Sequence, residues 1–274
     1  MKKINQLLTG AIALLMLASC VTATRVPVTG RKQRLSVSDE QMLSLSASQY
    51  KEYLSSAKKS TNATNTAMVQ RVGQKLANAV VTYLTNNGYA NEVKNYAWEF
   101  NLVQSNSVNA FCMPGGKIVV FEGMLPVTQD EASLAIVLGH EIAHAVAKHS
   151  AEQMSKQKNQ GILASLGISI LAAKAGKETA DLASSVASTG LTFLNAHYSR
   201  DNESEADHMG LIFAAMAGYN PNTAITFWQR MSKASGGGSA GLLQSYLSSH
   251  PSDTKRIADI QRWLPEAMKY YKGK

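Results

Sequence analysis

The 274-residue chain carries 27 Lys and Arg against 19 Asp and Glu, a net charge of +8, and it is 45% hydrophobic with only 17% charged residues. Such a chain can bury a core, which excludes a wholly disordered or collagen-like protein. It contains no block of five or six like charges, so the basic stripe that nucleic acid requires is missing and no nucleic-acid partner is expected.

At the start, Lys2 and Lys3 precede an apolar run from Leu7 to Leu17 that ends in Leu17-Ala18-Ser19-Cys20. That run is well short of the about 20 residues a helix needs to cross a bilayer, so residues 1–19 read as a secretory signal peptide. The small residues before the cysteine resemble the lipobox of bacterial lipoproteins. This resemblance implies cleavage before Cys20, acylation of its thiol and attachment to a membrane through lipid; an ordinary signal peptide with a chance cysteine is the other reading. Acylation would leave Cys112 without a partner in the chain, so no disulfide is expected. In Phe111-Cys112-Met113 the cysteine reads as a small buried hydrophobe.

Residues 20–38 read as a polar leader, followed by one domain from residue 39 to 274. Amphipathic patterns predict helices over Asp39–Lys59 and Met68–Thr85, separated by a polar loop. Alternation predicts a strand over Tyr96–Val103, and Asn109–Met113, Pro114-Gly115-Gly116 and Lys117–Phe121 read as strand, turn, strand. Thr128-Gln129-Asp130-Glu131 has the form of a capping box that opens a long helix through Val146. Further helices are expected at Ile162–Ala173, Glu178–Leu194, Asn202–Ala217, Pro221–Lys233, Leu242–Leu247 and Thr254–Trp263, with Pro221 as the first helical residue. The apolar stretch Gly161–Ala173 is too short to span a membrane and reads as a buried helix. The fold class expected is α+β, mostly α.

The chemistry concentrates in His140-Glu141-Ile142-Ala143-His144, within the long helix. At about 100° per residue the two imidazoles leave the helix about 40° apart, one turn from each other, so both can reach one metal ion. Neutral imidazole suits Zn²⁺, and a catalytic zinc takes three protein ligands with a fourth position left open. A third histidine six residues after His144 is ruled out because Ser150 stands there. His149, nine residues beyond His140, points to the opposite side of a continuous helix and reads as an exposed or capping residue. A carboxylate from the later helix supplies the alternative: Glu203 and Asp207 are four apart and share a face, which fits Glu203 on zinc and Asp207 accepting the other N–H of a ligating histidine. Glu205, about 160° away from Glu203, is expected to face solvent or a neighbouring helix.

His140-Glu141-Ile142-Ala143-His144 followed by Glu203-Ser204-Glu205-Ala206-Asp207-His208-Met209-Gly210 resembles the HExxH…ExEADxxG signature of the HtpX-like zinc metallopeptidases, the family that includes CaaX prenyl endopeptidases. Asn109-Ala110-Phe111, Pro114-Gly115-Gly116, Tyr198-Ser199-Arg200 and His250-Pro251 with Arg256-Ile257 resemble its soluble periplasmic branch. The resemblance implies a gluzincin-type domain with a small sheet beside the HExxH helix, one Zn²⁺ per chain, and an extended peptide docked on the sheet edge near Asn109, Ala110 and Phe111. It also implies an envelope-facing enzyme that hydrolyses exposed or misfolded envelope proteins as quality control; with the lipobox this places it on a lipid anchor facing the periplasm, and Val21 after the cysteine, which is not an acidic inner-membrane signal, favours the outer membrane. In that mechanism Glu141 takes the proton from water held by the zinc and later delivers it to the leaving amine. His250, Tyr198 and Arg200 are candidates for a second oxyanion donor. By resemblance His250 could also approach the metal and close the site until its loop moves. The rival from another class is a chaperone or assembly factor that binds envelope proteins by the sheet edge with little turnover; a third possibility is a structural or metal-storing lipoprotein with a closed site.

Overall fold

The computed structural model describes residues 22–165, 193, 197–235, 240–250 and 254–273. Cys20, the signal segment and almost all of the helices expected at Ile162–Ala173 and Glu178–Leu194 therefore lie outside the described residues.

The expected leader is instead an ordered hairpin, with strands β1 (Thr22–Arg25) and β2 (Lys32–Leu35) paired antiparallel. Its turn uses positive φ at Val28 and Gly30, and Val26 is fully buried, so this segment packs on the domain rather than trailing from it. Helix α1 (Asp39–Ser56) starts at a capping box formed by Ser38 and Gln41 and ends three residues earlier than expected, where Ala57 turns extended. Helix α2 (Ala63–Asn86) begins five residues before the expected start, because the Asn62 side chain accepts the N–H of Asn65 and captures an extra turn.

Strands β3 (Glu99–Val103), β4 (Ala110–Met113) and β5 (Lys117–Phe121) form one sheet in the order β3-β5-β4. β5 runs parallel to β3 and antiparallel to β4. Gly115 and Gly116 both have positive φ in the β4–β5 turn, and a Cβ on Gly116 would stand 2.5 Å from the Trp98 ring, so only glycine fits there. β4 pairs only with β5 among the described residues, and it packs on the long helix that follows.

That helix does not begin with the expected capping box. Leu125–Thr128 forms its own short helix, α3, in which the Thr128 hydroxyl donates to the Leu125 carbonyl. Gln129 breaks the chain at φ 68°, and Asp130 caps α4 (Glu131–Val146) by accepting the N–H of Ser133 at 2.6 Å. Glu131 reaches outward to Arg71 and the Tyr219 hydroxyl. Lys148, at φ 57°, ends the helix, and α5 (His149–Ser165) starts in a new direction. Helices α6 (Arg200–Met216), α7 (Thr223–Ser235), α8 (Ala240–Ser249) and α9 (Thr254–Ala267) complete the described fold. Pro221 does not open α7; it lies in a turn closed by Thr223 N–H on the Asn220 carbonyl.

Among the described residues the fold is thus mostly helical with two small sheets, the α+β architecture expected. Helix α4 is buried from Ser133 through His144 without interruption, between β4, α2, α6 and α7. A helix enclosed on all sides must be apolar all round, so its few polar side chains must find partners inside. Among the described residues, no helix is long and apolar enough to cross a membrane.

Candidate metal centre

Two glycines set the site. Helices α4 and α6 meet where Gly139 faces Gly210; a Cβ on Gly139 would lie 2.8 Å from the Gly210 carbonyl oxygen, and a Cβ on Gly210 would lie 2.8 Å from the His140 nitrogen. Backbone contact at this point puts His140 against the N-terminal half of α6. Asp207 lies about one turn before Gly210 and Glu203 about two, on the same face.

The outcome is a compact cluster. His140, His144, Glu203 and His250 are all buried, and one ligand atom from each lies within 4.8 Å of all the others. His140 Nε2 is 3.0 Å from His144 Nε2, 3.1 Å from His250 Nδ1 and 3.3 Å from Glu203 Oε2. Glu203 Oε1 is 3.2 Å from His144 Nε2, and Glu203 Oε2 is 3.0 Å from His250 Nδ1. Ligands held at about 2.0–2.1 Å from a tetrahedral zinc stand about 3.3 Å apart, and these edges approach that figure. Three imidazole nitrogens and a carboxylate converging on one spot can share a cation there, so the residues fit a divalent metal ion of the zinc type.

The surroundings agree. His140 Nδ1 is 2.8 Å from Asp207 Oδ1, which fixes its Nε2 toward the cluster. Burial alone would keep this imidazole neutral, but the Asp207 and Glu203 charges outweigh it and raise His140 to about 9, a sign of a site short of positive charge. Burial likewise acts to raise Glu203, yet the three histidines hold its carboxyl well below the usual range. For His144, burial prevails and keeps the ring neutral.

Glu141, next in sequence to His140, is buried, and burial raises its carboxyl above the ordinary value. Its Oε1 has no hydrogen-bond partner among the described residues and stands 3.5 Å from His250 Nε2. Such an orphaned carboxylate oxygen beside the cluster leaves room for a proton to be taken from a guest.

The other sequence candidates fall in different places. Tyr198 stacks on the His144 ring at 4.1 Å, with its hydroxyl tied to Ser150 at 2.8 Å. Arg200 is exposed at the start of α6 and lines a cavity of about 190 Å³ whose walls include Glu203, Asp207 and Arg256. Of the three oxyanion candidates, His250 alone sits within the cluster. It directly follows α8 and is 4% exposed, so the loop location expected for it is a buried helix end. Ala110 and Phe111 are buried in β4, and Asn109 precedes the strand with its side chain accepting the Ala110 N–H. The β4–β5 register leaves the main-chain groups of Ala110 and Cys112 on the unpaired edge. Burial pushes the Cys112 thiol well above its ordinary value, and the Glu141 charge adds to this, so the edge strand runs beside the centre.

The expectation for His149 is overturned. His149 is neither exposed nor a cap; it is buried between His144 and Glu205, because the break at Lys148 swings it back toward the site. Glu205 takes the second of the two places expected for it, the neighbouring helix rather than solvent: it accepts from His149 of α5 and from Arg31 and Thr29, and these partners hold it down at about 2 against the effect of burial. Arg256 carried no role in the sequence reading. Its buried guanidinium donates to Asp207 at 2.6 Å and lies 3.5 Å over the Trp228 ring. Only a basic residue close after His250-Pro251 hinted at it.

Comparison with known proteins agrees with this geometry. Mitochondrial metalloendopeptidase OMA1 of Schizosaccharomyces pombe is 40% identical over 171 residues, which is 62% of this chain and 48% of that protein. Human mitochondrial metalloendopeptidase OMA1 is 29% identical over 245 residues, 89% of this chain and 46% of its own length. The β-barrel assembly-enhancing protease of Escherichia coli is 29% identical over 177 residues, 63% of this chain and 35% of that protein. The chain spans about half the length of the OMA1 relatives it matches. The sequence profile of Peptidase family M48 matches residues 63–264, a stretch that contains all four cluster residues and Glu141. The protein belongs to peptidase family M48.

Proposed function

We propose that this chain is a zinc-dependent endopeptidase with His140, His144 and Glu203 as metal ligands and Glu141 as the catalytic base. The observation that carries the reading is the buried four-residue cluster with an unpartnered Glu141 oxygen at its side. Zn²⁺ bound there would polarise a scissile carbonyl and make a water acidic enough to lose its proton near neutral pH. Glu141, raised by burial toward that range, takes the proton and passes it to the leaving amine. Asp207 holds His140 by its Nδ1, Arg256 holds Asp207, and Tyr198 stacks against His144. An extended peptide would add to the sheet at the Ala110 and Cys112 edge, reading backbone rather than sequence.

His250 Nδ1 takes the fourth corner of the cluster, the position a catalytic zinc keeps open. We read this as the closed form of a latent enzyme, in which His250 must withdraw before substrate enters. The same contact fits a protein without turnover, whether the metal-storing protein whose site stays closed or the factor that binds envelope proteins.

The substrates proposed are exposed or misfolded proteins of a bacterial cell envelope, with the chain anchored through an acylated Cys20 facing the periplasm, in the outer membrane by preference. The lipobox-like Leu17-Ala18-Ser19-Cys20 and the likeness to the Escherichia coli protease support this placement; the OMA1 relatives are mitochondrial. Incorporation of labelled palmitate that survives in Cys20→Ala would refute the anchor.

Casein digestion by the zinc-loaded protein tests the activity. Glu141→Gln should lower the rate by about 10²–10⁴-fold with zinc content unchanged. A variant as active as the parent would overturn the assignment of the base, and no cleavage by either protein, or by His250→Ala, would favour the binding factor.

A further inference from the structure

The two histidines of α4 are held from behind in different ways. His140 Nδ1 meets a carboxylate directly at Asp207. His144 Nδ1 meets another histidine: His149 Nδ1 lies 2.8 Å away, and His149 Nε2 lies 2.9 Å from Glu205 Oε2. His144, His149 and Glu205 are all buried. Glu205 is held in turn by the N-terminal hairpin, through the Thr29 hydroxyl on Oε1 and Arg31 Nε at 2.8 Å on Oε2. The remaining Arg31 nitrogens fork onto Glu152 at 3.2 and 2.8 Å.

Two ring nitrogens 2.8 Å apart require one donor and one acceptor. Since His144 presents Nε2 to Glu203 and His140, that nitrogen must keep its lone pair for a metal, and the ring proton must sit on Nδ1. His149 Nδ1 then accepts it. The His149 proton is left on Nε2, where Glu205 Oε2 accepts it. One assignment satisfies every partner from the metal centre to the hairpin.

We propose that His149 and Glu205 are positioning residues that lock His144 in its metal-binding tautomer, with Thr29 and Arg31 of the hairpin holding Glu205 in place. The relay rests on the reading of His140, His144, Glu203 and His250 as the metal centre. Helix geometry explains why an intermediary is needed. Glu205 is turned about 160° from both Glu203 and Asp207, so it cannot reach the cluster itself, and His149 spans the gap from the start of α5.

The test is Zn²⁺ and Co²⁺ affinity, measured by competition with a chromophoric chelator on the full chain, alongside thermal midpoints of the metal-free proteins. His149→Phe keeps an aromatic ring but offers no hydrogen-bond acceptor, and it should weaken metal binding by about 10–100-fold. In His149→Asn the amide oxygen takes the place of Nδ1 while the link from Nε2 to Glu205 is lost, and binding should return part of the way to the parent value. A tautomer measurement on the zinc-loaded parent needs no variant and decides the matter if His149→Phe fails to fold: long-range ¹H–¹⁵N spectra should show His144 protonated at Nδ1 and His149 at Nε2. Parent-like affinity in His149→Phe, equal weakness in His149→Asn, or the opposite His149 tautomer would each overturn the relay alone. Absence of metal binding by the parent would overturn the metal centre and the relay with it.

Discussion

Helix α6 carries Glu203 and Glu205 two residues apart, and they face opposite tasks. Glu203 joins three histidines around a space that wants a cation, while Glu205 is saturated by neighbours the chain itself supplies: His149, Arg31 and Thr29. A buried carboxylate that already has its fixed positive partner holds the structure together; one whose partners are imidazoles, which can give up a proton to a metal, is ready for a ligand. The difference separates a site from a scaffold more clearly than burial, which is 6% exposure for one and 7% for the other.

That contrast can be broken from either side. The largest effect is expected on the Glu203 side: Glu203→Ala should abolish stoichiometric zinc binding and peptidase activity together, while its metal-free form folds, as circular dichroism would show. On the other side, Glu205→Ala leaves His149, Thr29 and Arg31 with lost partners. Its thermodynamic stability in urea should fall by about 3 kcal/mol, the scale for breaking a buried ion pair. A loss under about 0.5 kcal/mol would mean that the hairpin contributes no more than a surface pair. Removing zinc from the parent with a chelator should lower the melting temperature. The lost stabilisation is about 4 kcal/mol if free zinc had stood at a thousand times its dissociation constant, and Glu203→Ala should show no such shift. Gly210→Ala should cost about 1–3 kcal/mol by forcing α4 and α6 apart at the His140 nitrogen. The smallest effect belongs to Arg200→Ala, exposed and outside the cluster, with casein cleavage close to parental.

How much of this could be read from the chain follows the range of each interaction. The His140–His144 pair is a matter of one helical turn, so spacing alone predicts convergent rings, and four-residue spacing likewise puts Glu203 and Asp207 on one face. The sheet and its Pro114-Gly115-Gly116 turn were visible for the same local reason. A helical wheel misplaces His149 because α4 ends at Val146, before that residue. Lys148 leaves the helix at positive φ, which no composition signal marks. For Glu205 the spacing leaves solvent and a neighbouring helix both open, and its partners Thr29 and Arg31 are hidden from any local pattern because they lie in a segment that reads as a leader and is a hairpin. Arg256 and the Gly139–Gly210 contact are matters of tertiary approach between distant parts of the chain, and no local pattern contains them.

The central claim is that one divalent ion sits among His140, His144, Glu203 and His250. X-ray absorption at the zinc edge of the purified protein, together with its zinc stoichiometry, tests this directly. The account predicts one zinc per chain in a shell of nitrogen and oxygen at about 2.0–2.1 Å with an imidazole scattering pattern, lost in Glu203→Ala. A protein that purifies without zinc and takes up none at micromolar concentration, or one whose zinc shell survives Glu203→Ala unchanged, would contradict it.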